Sequence, residues 1–194
     1  MYEAGIESMP SESVCYPAKL AHGHMAALIK QGVKLIFYPC LPYERDEGLG
    51  GNNHFNCPVV GTYPEVIRNN MPELKADGVT FLSPFLPYDN PARLKERLAE
   101  ELAPFGVLPA EVELAVAAAY AEDAAYKQKI RAKGEETIAW LAKEDKRGII
   151  LAGRPYHIDP EINHGIPEMV AGYGFAVLTE DSVAHLGELP RPIN

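Results

Sequence analysis

The chain has 194 residues, 47% hydrophobic and 23% charged, with 18 Lys and Arg against 27 Asp and Glu for a formal charge of −9. That length suits one full domain or two small ones and buries a core without disulfide staples. The acidic balance argues against non-specific nucleic-acid binding and against an anionic membrane surface; no apolar run approaches the ~18 residues of a membrane span, and Met1-Tyr2-Glu3-Ala4-Gly5 carries no signal-peptide pattern, so a cytoplasmic protein is expected.

Proline punctuates the chain: 12 of the 17 lie between Pro10 and Pro109, none between Ala110 and Arg154, and five follow. Residues 17–31 predict a helix, with Ser13 as its cap and Gly32 as its stop. Residues 33–38 (VKLIFY) form a short, β-rich apolar run that reads as a buried strand. A long loop rich in Gly, Pro and Asn spans 39–58, followed by a second short strand at 59–62 and a helical turn or two at 64–70. Residues 78–82 predict a third strand, and Asn90 caps a helix that starts at Pro91 and runs to about Ala103.

The proline-free stretch predicts one long helix from Pro109 to about Lys146, with Val112, Val116, Ile130 and Leu141 among its helically spaced apolar residues. Unbroken, it would span about 55 Å; Gly134 is the obvious place for a bend, and Tyr126 and Trp140 are expected in core or interdomain packing. A central strand follows at 148–153, a loop at 154–161, a helix at 163–172, a strand at 175–179 and a short helical segment at 181–186.

Strands alternating with helices imply βαβ units. The expected fold is α/β with Rossmann-like parallel sheets in three layers. Two subdomains, 1–108 and 147–194, are joined by the helix 109–146. The abrupt start and the linker-like residues 190–194 are expected of a piece of a longer protein.

Three cysteines are candidates for chemistry: Cys15, Cys40 and Cys57, each within two residues of a proline. An odd count in a reducing compartment fits poorly with disulfides. Cys40 follows a strand, where open α/β sheets place their sites. Cys15 precedes a helix N-terminus, which stabilises a thiolate. Cys57 lies at the far end of the long loop, which must fold back if Cys57 is to approach Cys40. Three such thiolates suit a soft metal or an iron–sulfur cluster. The spacing alone has no Cys-x-x-Cys and equally suits three unpaired thiols; a zinc reading adds His54 as fourth ligand.

The stretches 10–19 (PSESVCYPAK), His22-Gly23-His24, 37–44 (FYPCLPYE), Asn56-Cys57-Pro58 with 63–67 (YPEVI), and 151–167 (LAGRPYHIDPEINHGIP) carry a resemblance. The chain resembles the large activator-type proteins of the 2-hydroxyacyl-CoA dehydratase and benzoyl-CoA reductase systems over nearly its whole length. In those proteins such segments follow ATPase domains of the acetate and sugar kinase/Hsc70/actin type. The resemblance implies that Cys15, Cys40 and Cys57 ligate a [4Fe–4S] cluster or half of a double cubane. It also implies low-potential electron transfer and partnership with ATPase and dehydratase or reductase components. No Gly-rich phosphate loop is present, so this chain alone is expected to show no ATPase activity.

The cluster reading expects the three sulfurs to converge. It also expects Arg154 and His157, beyond the 148–153 strand, to border the same cleft as Cys40 and hold an anion: cluster sulfide, a carboxylate or a CoA phosphate. The plainer alternative is that both satisfy loop carbonyls. Lys19 is a cation for the cluster or a surface lysine. His22, His24 and His164 are weaker candidates, and Asn52, Asn53 and Asn56 are expected to shape the long loop. The rival functions are a metal-free interaction domain and a zinc-stabilised module.

Overall fold

A computed structural model describes residues 2–46, 48, 53–76 and 78–187. Asn52 and the linker-like residues 190–194 lie outside the described residues. In chain order, a 3-10 segment, Tyr2–Ser8, is followed by α1 (Tyr16–Lys30), β1 (Leu35–Phe37), α2 (Pro58–Asn70), α3 (Glu73–Ala76), β2 (Thr80–Leu82) and α4 (Pro91–Leu102). Then come α5 (Pro109–Lys143), β3 (Gly148–Leu151), α6 (Pro160–Asn163), α7 (Ile166–Gly172), β4 (Ala176–Thr179) and α8 (Glu180–Val183). The chain divides into two compact units, Met1–Val116 and Ala117–Ile193, with the boundary inside α5.

Among the described residues each unit holds one two-stranded parallel sheet. In the first, Leu35 pairs with Thr80 and Phe37 with Leu82. The pairing continues past the strand ends: the Tyr38 amide donates to the Leu82 carbonyl at 2.8 Å and the Cys40 amide to the Pro84 carbonyl at 2.9 Å. Ile36 enters a core with Ala18 and Met25 of α1, Tyr63 and Ile67 of α2, and Met71. In the second unit β3 pairs with β4, Gly148 with Ala176 through Leu151 with Thr179. The β–α–β alternation predicted from sequence is therefore present as mixed α/β with small parallel sheets. The 148–153 run is not a central strand among the described residues: it has one partner, and Ile149 and Ile150 are exposed.

Other expectations are corrected. Residues 59–62 are helical, not a strand. Pro58 starts α2, and Tyr63, Ile67 and Met71 bury at a spacing of four, so the helical period governs a run too short to show it alone. The first residue flanking α1 is Cys15, not Ser13, whose hydroxyl bonds Ser11 instead. The 163–172 helix is split, because His164 and Gly165 take left-handed conformations, φ 53° and 76°, between α6 and α7. Tyr126 and Trp140 are exposed, with the Lys146 ammonium 4.7 Å from the centre of the Trp140 ring.

The α4 cap is as predicted: the Asn90 carboxamide oxygen accepts from the Arg93 amide at 3.1 Å, and Pro91 occupies the first helical position. Asn90→Ala should lower stability by about 1 kcal/mol, read as a lower urea midpoint with an unchanged slope.

Candidate cysteine site

The first unit carries all three thiols, and none is in a disulfide. Cys15 and Cys57 occupy matching positions as the N-caps of α1 and α2, each followed by a proline in the first turn. Their extended backbones (ψ 151° and 133°) turn the chain into the helix, and neither side chain makes a capping hydrogen bond. Both are exposed.

Cys40 differs. It sits beyond β1 with its backbone bonded on both sides, to Pro84 and Leu86, and its side chain is fully buried. The thiol points at the Ser83 carbonyl, 3.8 Å away. Burial pushes this thiol up, the Glu65 carboxylate adds to that, and the Glu65 backbone amide and Arg68 pull it back down. Glu65 is itself held by the Ser83 hydroxyl at 2.7 Å and by Arg68 at 3.3 Å.

The long loop folds back. Tyr43 and Phe55 form an antiparallel bridge, their rings 4.2 Å apart. The Glu44 amide donates to His54 and the Asn56 amide to Pro42. Asn56 closes the turn further, donating from its side chain to the Leu41 carbonyl at 2.8 Å. Asn53 accepts from the Phe55 amide, so both asparagines shape the loop as turn chemistry predicts. The residue before Cys57 thus bonds the residues after Cys40, and a Cβ on Gly61 would lie 3.4 Å from the Pro42 Cα.

Helix α1 meets α2 through His22, whose ring is edge-on to Tyr63. Tyr63 packs in the core cluster with Ala18 and Val14, on either side of Cys15 in sequence. Burial pushes the Tyr63 hydroxyl up, with Cys15 and then Tyr38 adding to it; burial and then Cys40 do the same to Tyr38.

Neighbourhood is not coordination. Among the described residues, no group of three His, Cys, Asp or Glu side chains stands close enough to hold a metal ion, with or without His54. The donor set suits a soft metal, with three unpaired thiols in one unit and two at helix N-caps. The inward Cys40 thiol would have to give up its proton and its place at Ser83 before it could ligate one.

The chain matches the family described as CoA enzyme activase uncharacterised domain (DUF2229) over residues 1–183. It belongs to that family. No curated protein and no solved structure matches it.

The remaining candidates of this activase domain fall as follows. Arg154 and His157 belong to the second unit. Arg154 is exposed. His157 Nδ1 accepts from the Arg154 amide at 3.0 Å, and the His157 amide donates to the Arg154 carbonyl at 2.8 Å, so the imidazole serves its own loop. His24 and His164 are exposed, and Lys19 lies over the Tyr2 ring at 5.9 Å. His22 is structural and fully buried. Sequence reasoning missed Tyr38, Tyr63, Glu65 and Ser83 as neighbours of the thiols. Only Tyr38 had a local signal, since alternate strand residues share a face and Tyr38 is two before Cys40.

Among the described residues no helix is long and apolar enough to cross a membrane.

Proposed function

We propose that this activase domain is the cysteine-bearing part of an ATP-dependent, low-potential electron-transfer system. That system serves 2-hydroxyacyl-CoA dehydration or a related CoA-thioester reduction, with Cys15, Cys40 and Cys57 as ligands of an iron–sulfur cluster. The observation that carries the reading is the folded-back loop. Its Asn56–Pro42 and Asn56–Leu41 bonds join the residue before Cys57 to the two residues after Cys40, in the unit that also carries Cys15, which supports the reading.

A bound cluster would supply one-electron transfer at low potential. The protein's part is to offer thiolates. Cys15 and Cys57 are exposed at the N-caps of α1 and α2. Cys40 needs deprotonation first, because its burial and Glu65 favour the thiol. Partners would be ATPase domains and the dehydratase or reductase component. Arg154 would hold an anion of such a partner. His157 would donate from Nε2, because its Nδ1 is taken by a backbone amide. The architecture we propose is three-layered and Rossmann-like in two subdomains, supported by the parallel β–α–β connection in each unit.

The test is anaerobic reconstitution with iron and sulfide, followed by metal and acid-labile sulfide analysis and EPR of the reduced sample. Wild type should turn brown and bind iron. Serine at any one of the three cysteines should lower iron retention at least about tenfold, since a lost ligand costs no less than a lost supporting contact. Colourless protein with stoichiometric zinc, or no metal at all, would replace this reading with a zinc module or a metal-free interaction domain.

A further inference from the structure

Three buried polar side chains from three elements form one hydrogen-bonded chain. Ser8 ends the first 3-10 segment, His22 lies within α1 and Tyr63 within α2; they are 9%, 0% and 4% exposed. Ser8 Oγ is 2.8 Å from His22 Nδ1, and His22 Nε2 is 2.9 Å from Tyr63 Oη. Ser8 Oγ also donates to the Gly5 carbonyl at 2.9 Å.

The protons can be assigned by counting. A hydroxyl has one hydrogen. The Ser8 hydrogen goes to the Gly5 carbonyl, so Ser8 can only accept from His22, and Nδ1 carries the imidazole hydrogen. Nε2 is then a bare lone pair, which takes the Tyr63 hydroxyl proton. Of the two neutral tautomers of His22, only the one with hydrogen on Nδ1 satisfies all three bonds. A second proton on Nε2 would face the Tyr63 oxygen and send the phenol hydrogen to seek another acceptor inside the core.

Among the described residues no counter-ion is paired with that ring. Ser8 faces the ring from the 3-10 segment and Tyr63 from α2. On α1 itself, Lys19 precedes His22 by three residues and Cys15 by seven. Glu7, Lys30 and Glu73 line an outer groove of about 340 Å³ that also reaches Ser8, and among the described residues no carboxylate bonds the imidazole. Burial alone pushes His22 down.

We propose that the Ser8–His22–Tyr63 chain is a proton-operated latch, in which neutral His22 holds the Tyr2–Ser8 segment and α2 onto α1, and protonation lets that segment go. Its place gives it consequence, because α1 and α2 each begin at a cysteine and His22–Tyr63 is a contact between them. The latch is a property of the metal-free chain and does not rest on the cluster.

The sign follows from linkage. The unfolded histidine titrates near 6.5 and the folded one lower, so the latch is at full strength above pH 6.5. As pH falls below that value the open form takes up a proton that the closed form refuses, and opening rises.

The experiment uses the whole metal-free chain. Imidazole nitrogen NMR from pH 8 to 5 reads the tautomer and titration of His22, and amide exchange, corrected for intrinsic rates, reads opening of residues 2–8. The expected result is a pyrrole-type Nδ1, a pyridine-type Nε2, a ring still mostly neutral at pH 6.5, and opening that rises by up to about tenfold between pH 7.5 and 5.5, the ceiling for one proton. Tyr63→Phe, which keeps the ring, should raise exchange of residues 2–8 at pH 7.5. Hydrogen on Nε2 at pH 7.5, titration at the ordinary histidine value, or pH-independent protection of residues 2–8 would each overturn the latch. Wild-type spectra decide even where a variant folds poorly, and iron content has no bearing on the outcome.

Discussion

Alanine at Gly5 lifts the Tyr2–Ser8 segment off α1. Gly5 is buried where the segment crosses α1 at His22 and Gly23. A Cβ there would stand 2.5 Å from the His22 carbonyl carbon, 2.7 Å from its Cβ and closer still to the Gly23 nitrogen. These are mostly backbone atoms of a packed helix, and no side chain can rotate to make room. The segment must move, and with it the Gly5 carbonyl that holds the Ser8 proton. The expected loss is about 1–3 kcal/mol, in the range of overpacked cores. Two measurements check it. The urea midpoint falls, and amides of residues 2–8 lose protection even at pH 7.5, where the latch is otherwise closed. Glu3→Ala, at an exposed position of the same segment, should leave both unchanged. A Gly5→Ala protein with wild-type stability and protection would mean that the segment is not seated on α1 as described.

The second large effect is expected in the other unit. Gly134 lies in the interior of α5, where glycine costs about 1 kcal/mol relative to alanine. On propensity alone Gly134→Ala would stabilise. The packing decides otherwise: the new methyl carbon would overlap the Ser182 carbonyl oxygen and stand 2.8 Å from its carbon. Ser182 is buried, with its hydroxyl tied to the Thr179 carbonyl at 2.7 Å, and next to Gly134 the Glu135 carboxylate is bonded to His185 at 2.7 Å. The α8 backbone cannot retreat without breaking both. Gly134→Ala should therefore destabilise by about 1–3 kcal/mol, seen as a lower thermal midpoint and loss of amide protection in residues 180–186. Gly172→Ala is the opposing control. Gly172 ends α7 with open space around it and no left-handed backbone, so alanine there should stabilise by about 0.5–1 kcal/mol. If both substitutions stabilise, α8 does not rest on α5.

Much of this protein is legible along the chain because it is local. The Asn90-Pro91 start of α4, the long proline-free helix and the β–α–β rhythm follow from caps, periodicity and punctuation, which act within a few residues. The matching settings of Cys15 and Cys57, each before a proline and a helix, were nearly legible for the same reason. The four-residue run at 59–62 misled because a stretch that short does not show its period, and the residues that reveal α2 as a helix, Tyr63, Ile67 and Met71, bury in a core shared with α1, β1, α3 and β2.

What the tertiary structure alone decided concerns pairs that are far apart in sequence. Gly134 reads as a break in α5, and packing turns it into a seat for Ser182 in an unbroken helix. Cys40 reads as a thiol at the end of a strand; its burial and its contact with the Ser83 carbonyl, 43 residues on, appear only in the packed chain. Ser8, His22 and Tyr63 are 14 and 41 residues apart, and nothing in their local sequence marks them as partners. A hydrogen bond depends on a few tenths of an ångström and a direction, and those are set only after the helices have packed. Composition, caps and spacing therefore determine which elements form and where the thiols sit on them. The fold decides which thiol and which histidine are buried, because burial and partner geometry are properties of the packed chain.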